Sequence, residues 1–197
     1  MIKAYIIIAI LGTLWGIAEV QLGTLLHAVD LPFAGLLMMS LGIVFQTVAR
    51  LTTAMRGSAL LMGAVAVFLK LLLIGGIAAS VAVAIMIESL IIEALYWQPL
   101  PSQKRIAVAA GAGVTYTLFH PFLSMPLFMG LTPLDAYRRI LQAGKMLFGI
   151  KTQDGFILIF VMLTFYFFVG FITGFLTYGF VDRLRQRGLL PLPVQKV

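Results

Sequence analysis

From Lys3 to Phe180 the chain is a series of apolar runs, each near the length that crosses a bilayer, and this limits it to very few folds. A spanning helix needs about 20 mainly apolar residues. Six runs meet that length, at about 3–28, 32–50, 57–74, 77–97, 105–128 and 155–181. Inside hydrocarbon every backbone polar group must be paired within the protein, which leaves helices or closed barrels. Runs this long are helices. Of the 197 residues, 61% are hydrophobic and 11% charged, against about 25% charged in a soluble domain. So few charges cannot cover a water-facing surface. The expectation is a single-domain, all-α integral membrane protein with six transmembrane helices, multi-pass in the cell (inner or plasma) membrane.

Prolines and glycines set the joints. Pro32 suits a helix start, where its missing N–H does no harm. The Gly75-Gly76 link is so short that the third and fourth helices must be antiparallel neighbours. Pro99-Leu100-Pro101-Ser102 closes the fourth helix, and Pro121 and Pro126 are expected to break the far end of the fifth. The segment 132–150 spreads Asp135, Arg138, Arg139, Gln142 and Lys145 along its length. It is too charged to span and reads as an amphipathic surface helix between helices five and six. A basic tail fills 183–197. The first run exceeds a signal-peptide core, contains Trp15 and Glu19, and ends without a small-x-small site.

The net charge is +7, but most Lys and Arg lie in short clusters between the runs, as the positive-inside rule requires. That distribution speaks against nucleic-acid binding. With the N-terminus inside, the cytoplasmic side collects Lys3, Arg50, Arg56, Lys104, Arg105, Arg183, Arg185, Arg187 and Lys196. The outside then holds Arg138, Arg139, Lys145 and Lys151, all in one long connection. Both termini are therefore expected in the cytoplasm, and Arg138, Arg139 and Lys145 mark an entrance or lid.

The stretch 56–97 carries Lys70, Glu88 and Glu93 within apolar surroundings. A charge at the centre of a membrane helix costs about 2.5–3.5 kcal/mol on insertion scales, so these three require partners. A helix turns about 100° per residue, and i, i+4, i+7 and i+11 share a face. That face is Gly12, Gly16, Glu19 and Gly23 on the first helix, Ala59, Gly63, Ala66 and Lys70 on the third, and Ala109, Gly113, Tyr116 and His120 on the fifth. Small residues mark close helix contact in membranes, so Glu19, Lys70 and His120 are expected to face protein or a cavity. At about 1.5 Å per residue they share an outer-half level, with Glu88 nearer the midplane. The four together suggest a polar pocket open to the outside. The plainer alternative is that Lys70 neutralises Glu19 or Glu88 as a structural pair. Glu93 is rotated by roughly 140° from Glu88 and lies nearer the cytoplasm, where a contact with another subunit or another helix suits it.

Other patterns weigh less. Gly12-x-x-x-Gly16 and Gly170-x-x-x-Gly174 are close-packing motifs. The aromatics of the sixth helix, Phe156 to Tyr178, suit lipid contact and packing. His27 with Asp30 supplies two metal ligands without a third, and a helix end is the better reading. The chain contains no Cys, no H-E-x-x-H and no G-x-S-x-G, and Gly144-Lys145 lacks the rest of a phosphate loop. No catalytic residue, metal or cofactor is expected, and no ATPase of its own.

Trp15-Gly16 with Glu19, Leu31-Pro32-Phe33-Ala34-Gly35, Gly63 with Lys70, and Ile87-Glu88 with Glu93 stand on six helices in about two hundred residues. This arrangement resembles the substrate-binding S component of an energy-coupling factor (ECF) vitamin transporter. The resemblance is one of whole-chain architecture. It implies capture of a small molecule outside the cell, docking on a transmembrane coupling subunit, and release inside driven by two partner ATPases. It also implies that Gly12 and Gly16 occupy the docking stripe, with glycines where such proteins carry alanines, and that Glu93 contributes to a partner contact. Glu19, Lys70, Glu88 and His120 would bind the substrate. Two other classes fit some of the same residues: a structural or proton-pathway subunit of a larger membrane complex, and an enzyme on lipid-linked substrates. A proton path calls for stepping-stones across the whole bilayer, and the inner halves of helices one, three and five are apolar.

Overall fold

A computed structural model describes residues 2–29, 31, 33–75, 79–149 and 155–190, with His27 described in its backbone alone. Asp30, Pro32, Gly76, Lys151 and the tail beyond 190 lie outside the described residues, as does the His27 side chain; so therefore do the His27–Asp30 pairing and the Gly76 link. Among the described residues there are seven helices and no strand: α1 (Ile2–Ala28), α2 (Ala34–Thr53), α3 (Ser58–Ile74), α4 (Ala79–Tyr96), α5 (Gln103–Met129), α6 (Pro133–Phe148) and α7 (Gly155–Gln186). Five of them, α1, α2, α4, α5 and α7, are long and apolar enough to cross a membrane. The protein is a multi-pass integral membrane protein. With 17 residues, α3 reaches about 25 Å, at the short end of the spanning range.

Close packing fixes the direction of each helix against its neighbours. A Cβ on Gly12 would meet Val65 at 3.0 Å, and one on Gly16 would meet Leu69 at 2.9 Å and the Ala66 backbone at 3.1 Å. Residue numbers rise together along this seam, so α1 and α3 are parallel. Gly42 of α2 lies against the Trp15 ring, Gly113 of α5 against Met39 and Ile92, and Gly63 of α3 against Ser89 of α4. In each of these pairs the numbers run in opposite senses. Gly170 and Gly174 of α7 sit on the α5 backbone at Ala110 and Ala107, while Gly111 of α5 receives the Phe167 ring. Thus α1, α3 and α5 point one way and α2, α4 and α7 the other.

Two expectations need correction here. Gly12 and Gly16 are buried against α3 of the same chain, so that stripe is used internally and offers no docking face. Nor do Pro121 and Pro126 break α5, which continues through both to Met129 and ends at Gly130 in the left-handed region, φ 65°. Membrane helices commonly run on through a proline in this way.

The amphipathic segment forms α6, packed on α5 and α7 through Ala136, Ile140 and Gly144. Arg138, Arg139, Gln142 and Lys145 are exposed. Its start is a capping box: Thr132 Oγ1 accepts from the Asp135 N–H at 3.3 Å, and Asp135 Oδ2 accepts from the Thr132 N–H at 2.9 Å. The Thr132 hydroxyl also donates to Asp135 Oδ2 at 2.6 Å, and this side-chain bond first, then the one from the Thr132 N–H, holds the Asp135 carboxyl below its ordinary 3.8. A lowered folded value means the cap is in place above the ordinary carboxylate pKa and is lost as pH falls through the folded one. Amide protection in the first turn of α6, corrected for the intrinsic exchange rate, should therefore fall in acid, and Asp135→Asn should show that reduced protection already at neutral pH.

The glycine seams give a second expectation. A methyl at Gly170 would press on the Ala110 carbonyl and on Val114 Cγ2 at 2.8 Å, whereas nothing lies within 4 Å of one at Gly179 on the same helix. Overpacking of this kind costs about 1–3 kcal/mol, while Gly to Ala in an open helix position gains up to about 1 kcal/mol. Thermal unfolding in detergent should show Gly170→Ala less stable than the unsubstituted protein, and Gly179→Ala equal or more stable.

Candidate functional site

Two polar clusters interrupt the apolar interior, one in each half of the bundle. The first is anchored by Trp15, fully buried on α1 with its ring against Gly42. Its indole N–H donates to Glu19 Oε1 at 3.3 Å, one helical turn on. The other Glu19 oxygen accepts from Lys70 Nζ at 2.8 Å, and Lys70 also reaches the Glu19 carbonyl at 3.4 Å. Acid and base are almost fully buried. The pair exists because Gly12 and Gly16 let α1 and α3 approach closely, and because Gly23, with no side chain, leaves room beside Lys70 Nζ.

Beside this pair lies a cavity of about 150 Å³, whose polar wall is Glu19, Lys70, Glu88, Thr117 and His120. The remaining wall is apolar, chiefly Met38, Met39, Val81, Ala84 and Ile85. Five helices, α1 to α5, contribute to it. A cavity of this volume holds a benzene-sized group. Glu88 is 8% exposed and, among the described residues, makes no hydrogen bond or ion pair. His120 is half-buried, its Nδ1 3.5 Å from the Tyr116 hydroxyl. The four side chains singled out from the sequence thus stand around one void. In contrast, Arg138, Arg139 and Lys145 do not line it: α6 rests on α5 and α7, away from the cavity wall.

The second cluster was only partly visible in the sequence. Glu93 meets other helices of the same chain, the second of the two contacts its position suggested. Its carboxylate pairs with Arg50 and caps α3, accepting from the Gly57 N–H at 2.7 Å and the Ala59 N–H at 3.1 Å. A carboxylate belongs at a helix N-terminus, where free N–H groups converge. Arg50 is fully buried, so it is not a water-facing flank charge. Its guanidinium lies 5.7 Å from the Tyr96 ring centre, and the Tyr96 hydroxyl is 2.6 Å from Thr47 Oγ1. Arg50 Nε and Nη1 lack hydrogen-bond partners among the described residues. Arg185 of α7 donates to the Leu51 carbonyl in the last turn of α2. Between the clusters, Gln46 Nε2 approaches Ser89 Oγ at 3.4 Å.

Gln46 and Arg50, four residues apart and hence on one face of α2, were the missed signal. Together with Glu88, Ser89 and Glu93 of α4 they continue the polar groups into the half of the bundle away from the cavity. Helices one, three and five are apolar there, but α2 and α4 are not. Among the described residues no group of three His, Asp or Glu side chains is placed to hold a metal ion.

Removing one partner of a buried ion pair strands the other and costs about 3–5 kcal/mol. Lys70→Met should therefore unfold at markedly lower SDS fraction than the unsubstituted protein. Adding Glu19→Gln to it should recover most of the loss, which a double-mutant cycle will read.

No family model, curated protein or solved structure matches the chain.

Proposed function

We propose that this chain is the substrate-capture subunit of an ATP-driven importer of the ECF type, holding a small micronutrient in a polar pocket open to the outside. The observation that carries the reading is the cavity: a void within the bundle, lined by ionisable side chains from four helices, of which Glu88 has no hydrogen bond or ion pair among the described residues. Ionisable groups are expensive in a membrane and mark functional sites, and a mixed apolar and polar wall is what a small-molecule site requires.

Six spans with both termini in the cytoplasm belong to the same reading. The alternation of helix directions supports α3 as a crossing despite its length. Exposed Lys3, Arg56, Lys104, Arg105, Arg183 and Arg187 gather at the end remote from the cavity, which supports that end as cytoplasmic. In this reading the loaded bundle docks on a transmembrane coupling subunit through a face other than Gly12 and Gly16, and partner ATPases drive release. The chain binds rather than catalyses, and needs no cofactor.

One observation favours a second reading, a proton-pathway subunit. Glu88, the Gln46–Ser89 contact and the Arg50–Glu93 pair form a broken polar line from the cavity toward the opposite end. Native mass spectrometry of gently purified protein separates the two. A retained small molecule that is lost in Lys70→Ala or Glu19→Ala is the result expected of a capture subunit. An empty protein that conducts protons in vesicles, and stops doing so in Glu88→Gln, would replace that proposal with the second.

A further inference from the structure

The charges around the cavity are not equally available. Glu19 spends one oxygen on the Trp15 indole and the other on Lys70. Lys70 in turn is occupied by the Glu19 carboxylate and the Glu19 carbonyl. These two side chains cancel each other and offer a bound molecule no net charge. What remains on the wall accepts hydrogen bonds. Glu88 is buried, lines the void and has no partner among the described residues. Thr117 lies four residues before Pro121, and a proline has no N–H to give the carbonyl one turn back. The Thr117 carbonyl at the cavity wall therefore lacks its usual helical donor. His120, its Nδ1 near the Tyr116 hydroxyl, has a second ring nitrogen with no hydrogen bond among the described residues, an acceptor in the tautomer whose Nδ1–H donates to Tyr116.

Resting on the capture reading above, we infer that the cavity takes a small organic cation that carries N–H donors, with Glu88 as its counter-charge. A lone carboxyl in hydrocarbon takes up a proton rather than bear its charge, and a cation with N–H groups lets Glu88 hold that charge while satisfying the carbonyl and the imidazole. The composition of the wall narrows the class further. Quaternary ammonium ions are held by aromatic cages, and among the described residues the only aromatic ring on the wall is His120. The apolar side, with Met38 and Met39, suits a flat body, since thioethers contact ring edges favourably. Amidines, aminated heterocycles and short amines on a ring meet these terms. Free carboxylates and phosphates do not, because Lys70 is already taken.

Three isosteric probes test the assignment on the whole protein in nanodiscs: benzamidinium, neutral benzamide and benzoate, with affinities from thermal shift and calorimetry. Benzamidinium should bind tighter than either analogue by about tenfold to a hundredfold, the range of a hydrogen bond to a charged group. Glu88→Gln should abolish that preference while leaving benzamide unchanged. Benzamide or benzoate binding as well as benzamidinium overturns the cation assignment and leaves the pocket standing. Binding of none of the three at millimolar concentration overturns the pocket itself, and the inference with it. The comparison among probes on the unsubstituted protein decides the matter even where the Glu88 variant folds poorly.

Discussion

Glu19 and Lys70 stand 51 residues apart on helices that run side by side through an apolar bundle, and neither charge is tolerable there alone. Their meeting depends on how near two backbones come. Two glycines on α1 bring the α3 backbone close enough that a single methyl group would collide with Val65 or Leu69. Once that spacing is set, the parallel course of the two helices puts Lys70 beside the acid. Trp15, held flat by Gly42 from the other side, turns the acid toward it. The cavity is the space left between this pair and α2, α4 and α5.

The periodicity of the sequence carried much of this arrangement. Stripes of small residues ending in Glu19, Lys70 and His120 were legible because 3.6 residues per turn fixes what shares a face. Their common level followed from the rise of the helix. The pairing was not legible, since a small-x-x-x-small motif states that something approaches closely and is silent about what. Gly12 and Gly16 read equally well as an outer docking stripe, and tertiary packing alone assigns them to α3. Arg50 shows the opposite failure. Near the end of an apolar run, a basic residue reads as a flank charge, yet α2 continues to Thr53 and draws the guanidinium inside. The prolines of α5 misled for a third reason: the penalty they carry in water is offset where neighbouring helices support the backbone.

The two clusters are built on different terms. Around Glu19 and Lys70 the ion pair borders a void and a third ionisable group is left over. Around Arg50 and Glu93 the acid is fully engaged, by Arg50 and by two N–H groups of α3, and no void accompanies it among the cavities described. Because Glu93 holds the first turn of α3 and Lys70 sits in its last turns, one short helix links the two. A rigid-body shift of α3 along its axis would strain both ends at once.

Trp15 has a further consequence. The chain has two tryptophans, and Trp97 is 68% exposed at the opposite end of the bundle, so their emission separates by environment. The buried indole touches the acid that borders the void, and its excited-state dipole responds to any change in the charge beside it. Any change of charge around the cavity is therefore written into the intrinsic fluorescence of the protein, legible without an attached dye.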